Sequence, residues 1–123
     1  MNPRSQFTGL VVEDEWLLRM ELADELLAVG WRTLEAGTGE AALDVIDREE
    51  RIDFLITDIR LPGSVDGWSV ADAFRLRHPQ GAVIYVSANP DLSTRRAEGS
   101  VFIGKPCDVR LLLQTCDRLL SVG

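Results

Sequence analysis

The chain has 123 residues, with 20 acidic side chains against 13 basic ones and a net charge of −7. That length suits one domain able to bury a real core, and an apolar content of 46% excludes global disorder. The acidic balance speaks against DNA, RNA or an anionic membrane as the main partner. Two cysteines are too few for a disulfide scaffold. Met1 to Thr8 does not read as a secretory leader, and no run approaches the ~20 apolar residues of a bilayer span. The expected setting is the cytoplasm, with Cys107 and Cys116 as reduced thiols acting as small hydrophobes.

In chain order, Gly9 to Val12 is a short apolar run ending in acids, which predicts a buried strand. From Glu15 to Val29, Trp16, Leu17, Met20, Ala23, Leu26 and Leu27 recur at helical spacing, and Gly30 is a stop. Trp31 to Ala36 alternates as a second strand. Thr38 caps a second helix, with Ala42, Leu43, Val45 and Ile46 on its apolar side. Ile52 to Thr57 is a third strand. Asp58 to Asp66, rich in Pro and Gly, is a loop. Gly67 to Arg77 follows as a helix with Trp68, Val70, Ala71 and Phe74 apolar, and His78 at its end. Ala82 to Val86 and Val101 to Ile103 are the fourth and fifth strands. Asp108 caps a last helix to about Leu120, with Leu111, Leu112, Thr115, Cys116 and Leu119 inward. Strands this apolar are covered on both faces, which predicts one doubly wound α/β domain with a five-stranded parallel sheet.

In such sheets ligands bind at the carboxyl ends of the strands, near a topological switch point. Strand one ends in Glu13 and Asp14, strand three in Asp58, strand four in Ser87, and strand five precedes Lys105. Each residue alone is an ordinary strand-end or surface residue; together they occupy the same end of four different strands. Clustered carboxylates raise each other's pKa, and a hard divalent cation relieves this. Mg²⁺ takes carboxylate and water oxygens at about 2.0–2.1 Å. With a Lys charge and a Ser hydroxyl, the set suits a phosphoryl group, which an Asp can take up as an acyl phosphate.

Val11-Val12-Glu13-Asp14-Glu15, Thr57-Asp58-Ile59-Arg60-Leu61-Pro62 with Asp66-Gly67, Val86-Ser87-Ala88 and Lys105-Pro106, in that order, resemble the receiver domain of two-component response regulators over essentially the whole chain. The resemblance implies a flavodoxin-like receiver topology, a single receiver domain over residues 1–123, and a regulator that signals rather than acts as an enzyme. Carried over by position, Asp58 is the acceptor phosphorylated by a histidine kinase or histidine phosphotransfer protein. Glu13, Asp14 and Asp58, with the backbone carbonyl of Arg60, hold Mg²⁺. Ser87 and Lys105 contact the phosphoryl group, and Ser87 and Phe102 form the switch; Phe102 also reads as a plain core residue. A cis bond before Pro106 is implied too. Output then passes by contact with a downstream protein, or as a phosphate shuttle or sink, with no direct contact to nucleic acid or membrane.

Two departures stand out. The loop from Pro62 to Gly67 is one residue longer than the common form. The segment between Ser87 and Lys105 is several residues shorter, with only Leu92 and Ala97 apolar between 88 and 100. This predicts a fourth helix that is shortened, displaced or disordered, or else a trimmed loop. Arg95-Arg96 reads as a solvated patch or a partner contact. Trp16 shields the site, meets a kinase helix or simply fills the first turn. Competing readings are an Asp-nucleophile phosphatase, which wants an acid where Arg60 stands, and a flavin module, for which Glu13-Asp14-Glu15 has the wrong charge. A degenerate receiver is opposed by the complete residue set. A receiver fragment of a larger regulator or hybrid kinase stays open.

Overall fold

In the computed structural model, which describes residues 7–88 and 95–121, the chain alternates strand and helix. The elements are β1 (Thr8–Val12), α1 (Trp16–Ala28), β2 (Arg32–Ala36), α2 (Gly39–Arg48), β3 (Phe54–Asp58), α3 (Gly67–Arg77), β4 (Ala82–Ser87), β5 (Val101–Gly104) and α4 (Val109–Ser121). All strand pairs are parallel, in the order β2-β1-β3-β4-β5. This is the doubly wound arrangement expected from the apolar strands. No helix among the described residues is long and apolar enough to cross a membrane.

Strand alternation divides the core into two layers. Leu10, Val12, Leu55, Val83 and Tyr85 face α2 and α3, where they meet Val45, Ile46, Trp68 and Phe74. Val11, Phe54, Ile56, Ile84 and Val86 face α1 and α4, where they meet Leu22, Leu26, Leu112 and Cys116. Cys116 is fully buried, and burial pushes its thiol up to about 12. The Phe54 ring lies across Gly9, its register partner; a Cβ on Gly9 would stand 2.1 Å from the ring. Gly9→Val is therefore expected to destabilise the domain by about 1–3 kcal/mol, the usual cost of overpacking, measured by denaturant unfolding.

The caps explain the clearest helix boundaries. Thr38 accepts from the Ala41 N–H at 3.0 Å, and Asp66 accepts from the Ser69 N–H at 2.9 Å. The structure selects the buried face of α1, which the spacing left open, and corrects one inward residue of α4. On α1, Leu22, Ala23 and Leu26 are buried, while Trp16, Leu17, Met20 and Leu27 lie in solvent. Apolar residues surround this helix, so periodicity alone does not say which side meets the sheet. On α4, Leu111 is exposed; the stripe from Leu112 through Cys116 carries the contact instead.

The expectation of an irregular fourth helix falls largely on residues 89–94, which lie outside the described residues. Residues 95–100 contain no helix. They are tied to the sheet instead. The Ala97 N–H donates to the Tyr85 hydroxyl at 3.0 Å, and the Arg96 guanidinium lies 4.6 Å from the centre of the Phe102 ring. Arg95 stands 3.8 Å from Asp66 and 3.7 Å from Asp72 on the α3 side. The basic pair is thus engaged within the chain rather than simply solvated.

Candidate functional site

The strand order reverses direction between β1 and β3, so the crevice at their carboxyl ends is the place where a doubly wound sheet gathers ligand-binding groups. β1 delivers Glu13 and Asp14 there, and Asp58 is the last residue of β3. Ser87 closes β4, and Lys105 follows β5 directly. The Lys105 N–H donates to the Ser87 carbonyl at 2.9 Å, so the two residues are held in register. The Lys105–Pro106 peptide bond is cis, as implied by the resemblance. Across the crevice, α3 starts against the end of β3. The Gly67 N–H donates to the Ile59 carbonyl at 2.7 Å, and a Cβ on Gly67 would meet the Asp58 carbonyl oxygen at 2.1 Å.

The side chains converge. Lys105 Nζ lies 2.8 Å from Asp58 Oδ2 and 2.9 Å from Glu13 Oε1. Asp58 Oδ1 accepts from the Arg60 N–H at 3.3 Å, and Glu13 Oε2 accepts from the Glu15 N–H at 3.0 Å. One oxygen from each of Glu13, Asp14 and Asp58 lies within 4.8 Å of the others. The Glu13 side chain is only 3% exposed and that of Asp58 11%, whereas Asp14 opens to solvent. Burial raises the pKa of Glu13 against the opposing pull of the Glu15 N–H and Lys105. Burial alone would depress Lys105, but hydrogen bonds to Asp58 and Glu13 outweigh it and hold the ammonium above its ordinary range.

Three carboxylates against one ammonium leave two net negative charges in a half-buried crevice. All-oxygen donors, partial access to water and an excess of negative charge fit Mg²⁺. They do not suit a soft metal, which would call for thiolate or imidazole. The only histidine of the chain, His78, ends α3.

Of the other expected site residues, Ser87 is buried at the crevice, and Arg60 is exposed with its backbone N–H turned to Asp58. Phe102 is half-buried and packs in the core layer of α2 and α3, stacked on Tyr85 at 5.0 Å, with Trp68 at 6.0 Å. Sequence reasoning missed Arg19. Its Nη1 donates to the Glu13 carbonyl at 2.8 Å and its Nε pairs with Glu35 at 3.3 Å. A basic residue one turn into the helix after the acids was the available signal.

The sequence matches the model of the response regulator receiver domain over residues 10–117. It is 32% identical over 113 residues to response regulator protein FleR of Pseudomonas aeruginosa, covering 89% of this chain and 24% of that protein. The chain spans only about a quarter of the length of the first curated relatives it matches. Among solved structures, the response regulator receiver protein of Sinorhizobium medicae superposes with a TM-score of 0.88 at 26% identity, covering 94% of each chain. The Thermotoga maritima response regulator TrrA, solved in complex with Mg²⁺ and BeF, superposes with a TM-score of 0.80 at 29% identity, covering 94% of this chain and all of that one. With an acidic crevice on a five-stranded parallel sheet, the chain belongs to the response regulator receiver domains of two-component systems, which are generally signalling phosphoacceptors that bind Mg²⁺ in an acidic pocket and interact with histidine kinases or phosphotransfer proteins.

Proposed function

We propose that this receiver takes a phosphoryl group onto Asp58 from a phosphohistidine of a histidine kinase or histidine phosphotransfer protein in the cytoplasm. An Asp58 oxygen attacks phosphorus, the P–N bond of the donor breaks, and the imidazole nitrogen leaves with the electron pair. The observation that carries this reading is the Asp58 carboxylate held between the Lys105 ammonium and the Arg60 N–H, beside Glu13 and Asp14. Glu13, Asp14, Asp58 and the Arg60 carbonyl would hold Mg²⁺, which when bound neutralises charge on the phosphoryl oxygens. Lys105 draws charge from the same oxygens, and the Ser87 hydroxyl donates to them. Phosphorylation then alters Ser87 and, through β4 and β5, Phe102. The exposed Trp16, Leu17 and Met20, beside the acidic pair, form an apolar patch suited to the phosphodonor protein. Output is by contact with a downstream protein or by passing the phosphoryl group on.

Incubation with a small phosphodonor and Mg²⁺ tests this. The wild type should acquire one phosphoryl group, Asp58→Asn none, and chelation of the metal should stop the reaction. Equal labelling of both proteins would refute the acceptor assignment. The match to a quarter of FleR favours a second reading, in which the same site serves a longer regulator. The mass of the native polypeptide separates the two readings.

A further inference from the structure

We infer that Arg19 is a positioning residue that sets the Glu13–Asp14 peptide and thereby aims the acidic pair; this rests on the reading of Glu13, Asp14 and Asp58 as Mg²⁺ ligands. Arg19 lies in α1 and makes two contacts outside its own helix. Its Nη1 donates to the Glu13 carbonyl at 2.8 Å, and its Nε pairs with Glu35, near the end of β2, at 3.3 Å. The guanidinium fits over Gly37, where a Cβ would come within 2.8 Å of Nη1. Glu35, in β2, and Gly37, just past its end, are thus the floor of a cradle for the guanidinium.

The carbonyl that Arg19 holds belongs to the peptide unit joining the two acids. The N–H of Glu13 on the other side donates to the Ala36 carbonyl at 3.1 Å. The chain leaving β1 is therefore pinned before and after Glu13. Asp14, whose side chain opens to solvent, takes its direction from that pinned peptide. A planar fork can reach a carbonyl and a carboxylate together; a lysine ammonium at the same site cannot span both with fixed geometry. Groups that orient metal ligands from outside commonly change metal affinity by about 10–100-fold when removed.

Charge and positioning predict opposite signs, which makes the inference testable. A guanidinium near a cation site repels the cation, so charge alone makes Arg19→Ala bind Mg²⁺ more tightly. Positioning makes it bind more weakly. Calorimetric titration with Mg²⁺ alone is the measurement, on wild type, Arg19→Ala, Arg19→Lys, Gly37→Ala and Asp14→Ala, with the metal-free melting midpoint recorded for each. Arg19→Ala is expected to lose about 10-fold in affinity, at the lower end of such effects, with a midpoint near that of the wild type. Gly37→Ala keeps the charge, displaces the guanidinium and should weaken binding in the same direction. Arg19→Lys should fall between. Unchanged or tighter binding by Arg19→Ala and Gly37→Ala, with Asp14→Ala still weakened, overturns the role of Arg19 alone. If Asp14→Ala also binds as the wild type does, or the wild type binds no Mg²⁺, the ligand assignment itself falls and the Arg19 inference with it. Should Arg19→Ala fail to fold, Gly37→Ala decides, because only the far end of a flexible side chain must move to admit its methyl group.

Discussion

Lys105→Ala is expected to slow phosphorylation by a small phosphodonor by about 10²–10³-fold, the usual cost of removing one group that stabilises developing charge. The same substitution should destabilise the metal-free domain by about 1–3 kcal/mol. Lys105 Nζ is within 2.9 Å of both Glu13 and Asp58, and both carboxylates are nearly buried. Without the ammonium, three acids face one another with no cation between them. Removing one partner of a buried pair costs more than the pair contributes, because the other charge is left desolvated. Saturating Mg²⁺ should restore most of the lost stability and little of the lost rate. Denaturant unfolding with and without Mg²⁺ checks the first effect, and single-turnover labelling the second. The sign with pH follows from the raised pKa of Lys105. Its stabilising contribution is full below the unfolded value of 10.5 and is lost as pH rises from there through the folded value.

Glu13→Gln should move stability and metal binding in opposite directions. Burial raises the pKa of Glu13 above its ordinary value of 4.5. A carboxyl with a raised folded pKa binds more protons when folded, so metal-free stability declines as pH rises from 4.5 through the folded value. Near neutral pH the ionised group opposes folding. Gln resembles the protonated form, so the variant should be more stable than wild type at neutral pH and should lose this part of the pH dependence. Its Mg²⁺ affinity should fall by more than about 10-fold, the lower limit for losing even an outer-shell partner. Unfolding curves across pH, with a parallel Mg²⁺ titration, measure both. A variant less stable than wild type at neutral pH and equal to it at low pH would contradict the burial cost assigned to Glu13. A functional site that opposes folding is what an acid cluster arranged for a cation requires.

β1, β3 and β4 were legible because each is apolar on both faces, as a parallel sheet demands, and the edge strand β2 from its alternation. The start of α2 was legible from Thr38, and the limits of α3 from Asp66, Gly67 and His78. The buried face of α1 was not, because Trp16, Leu17, Met20 and Leu27 obey the same spacing as the residues that pack. Leu111 was misplaced for a similar reason: it neighbours Leu112 and Leu113, and composition cannot say which leucine points inward. The acids and Lys105 were legible because each follows an apolar strand at the same edge. Arg19 was hard to single out because its contact with Glu13 is to a backbone carbonyl and its ion-pair partner Glu35 arrives from β2, a strand that carries none of the expected site residues. The Tyr85 and Trp68 rings around Phe102 were also hidden, since their meeting depends on the register of β4 with β5 and on how α3 packs over the sheet.

The most direct measurement is the position of the phosphoryl group. Protein phosphorylated by a small donor with Mg²⁺ is reduced with borohydride, which converts an aspartyl phosphate to homoserine, and its peptides are weighed. The expected result is homoserine at position 58 and nowhere else. Reduction at another carboxylate, phosphate retained on Ser87, or an unmodified Asp58 in protein that carries label contradicts the assignment.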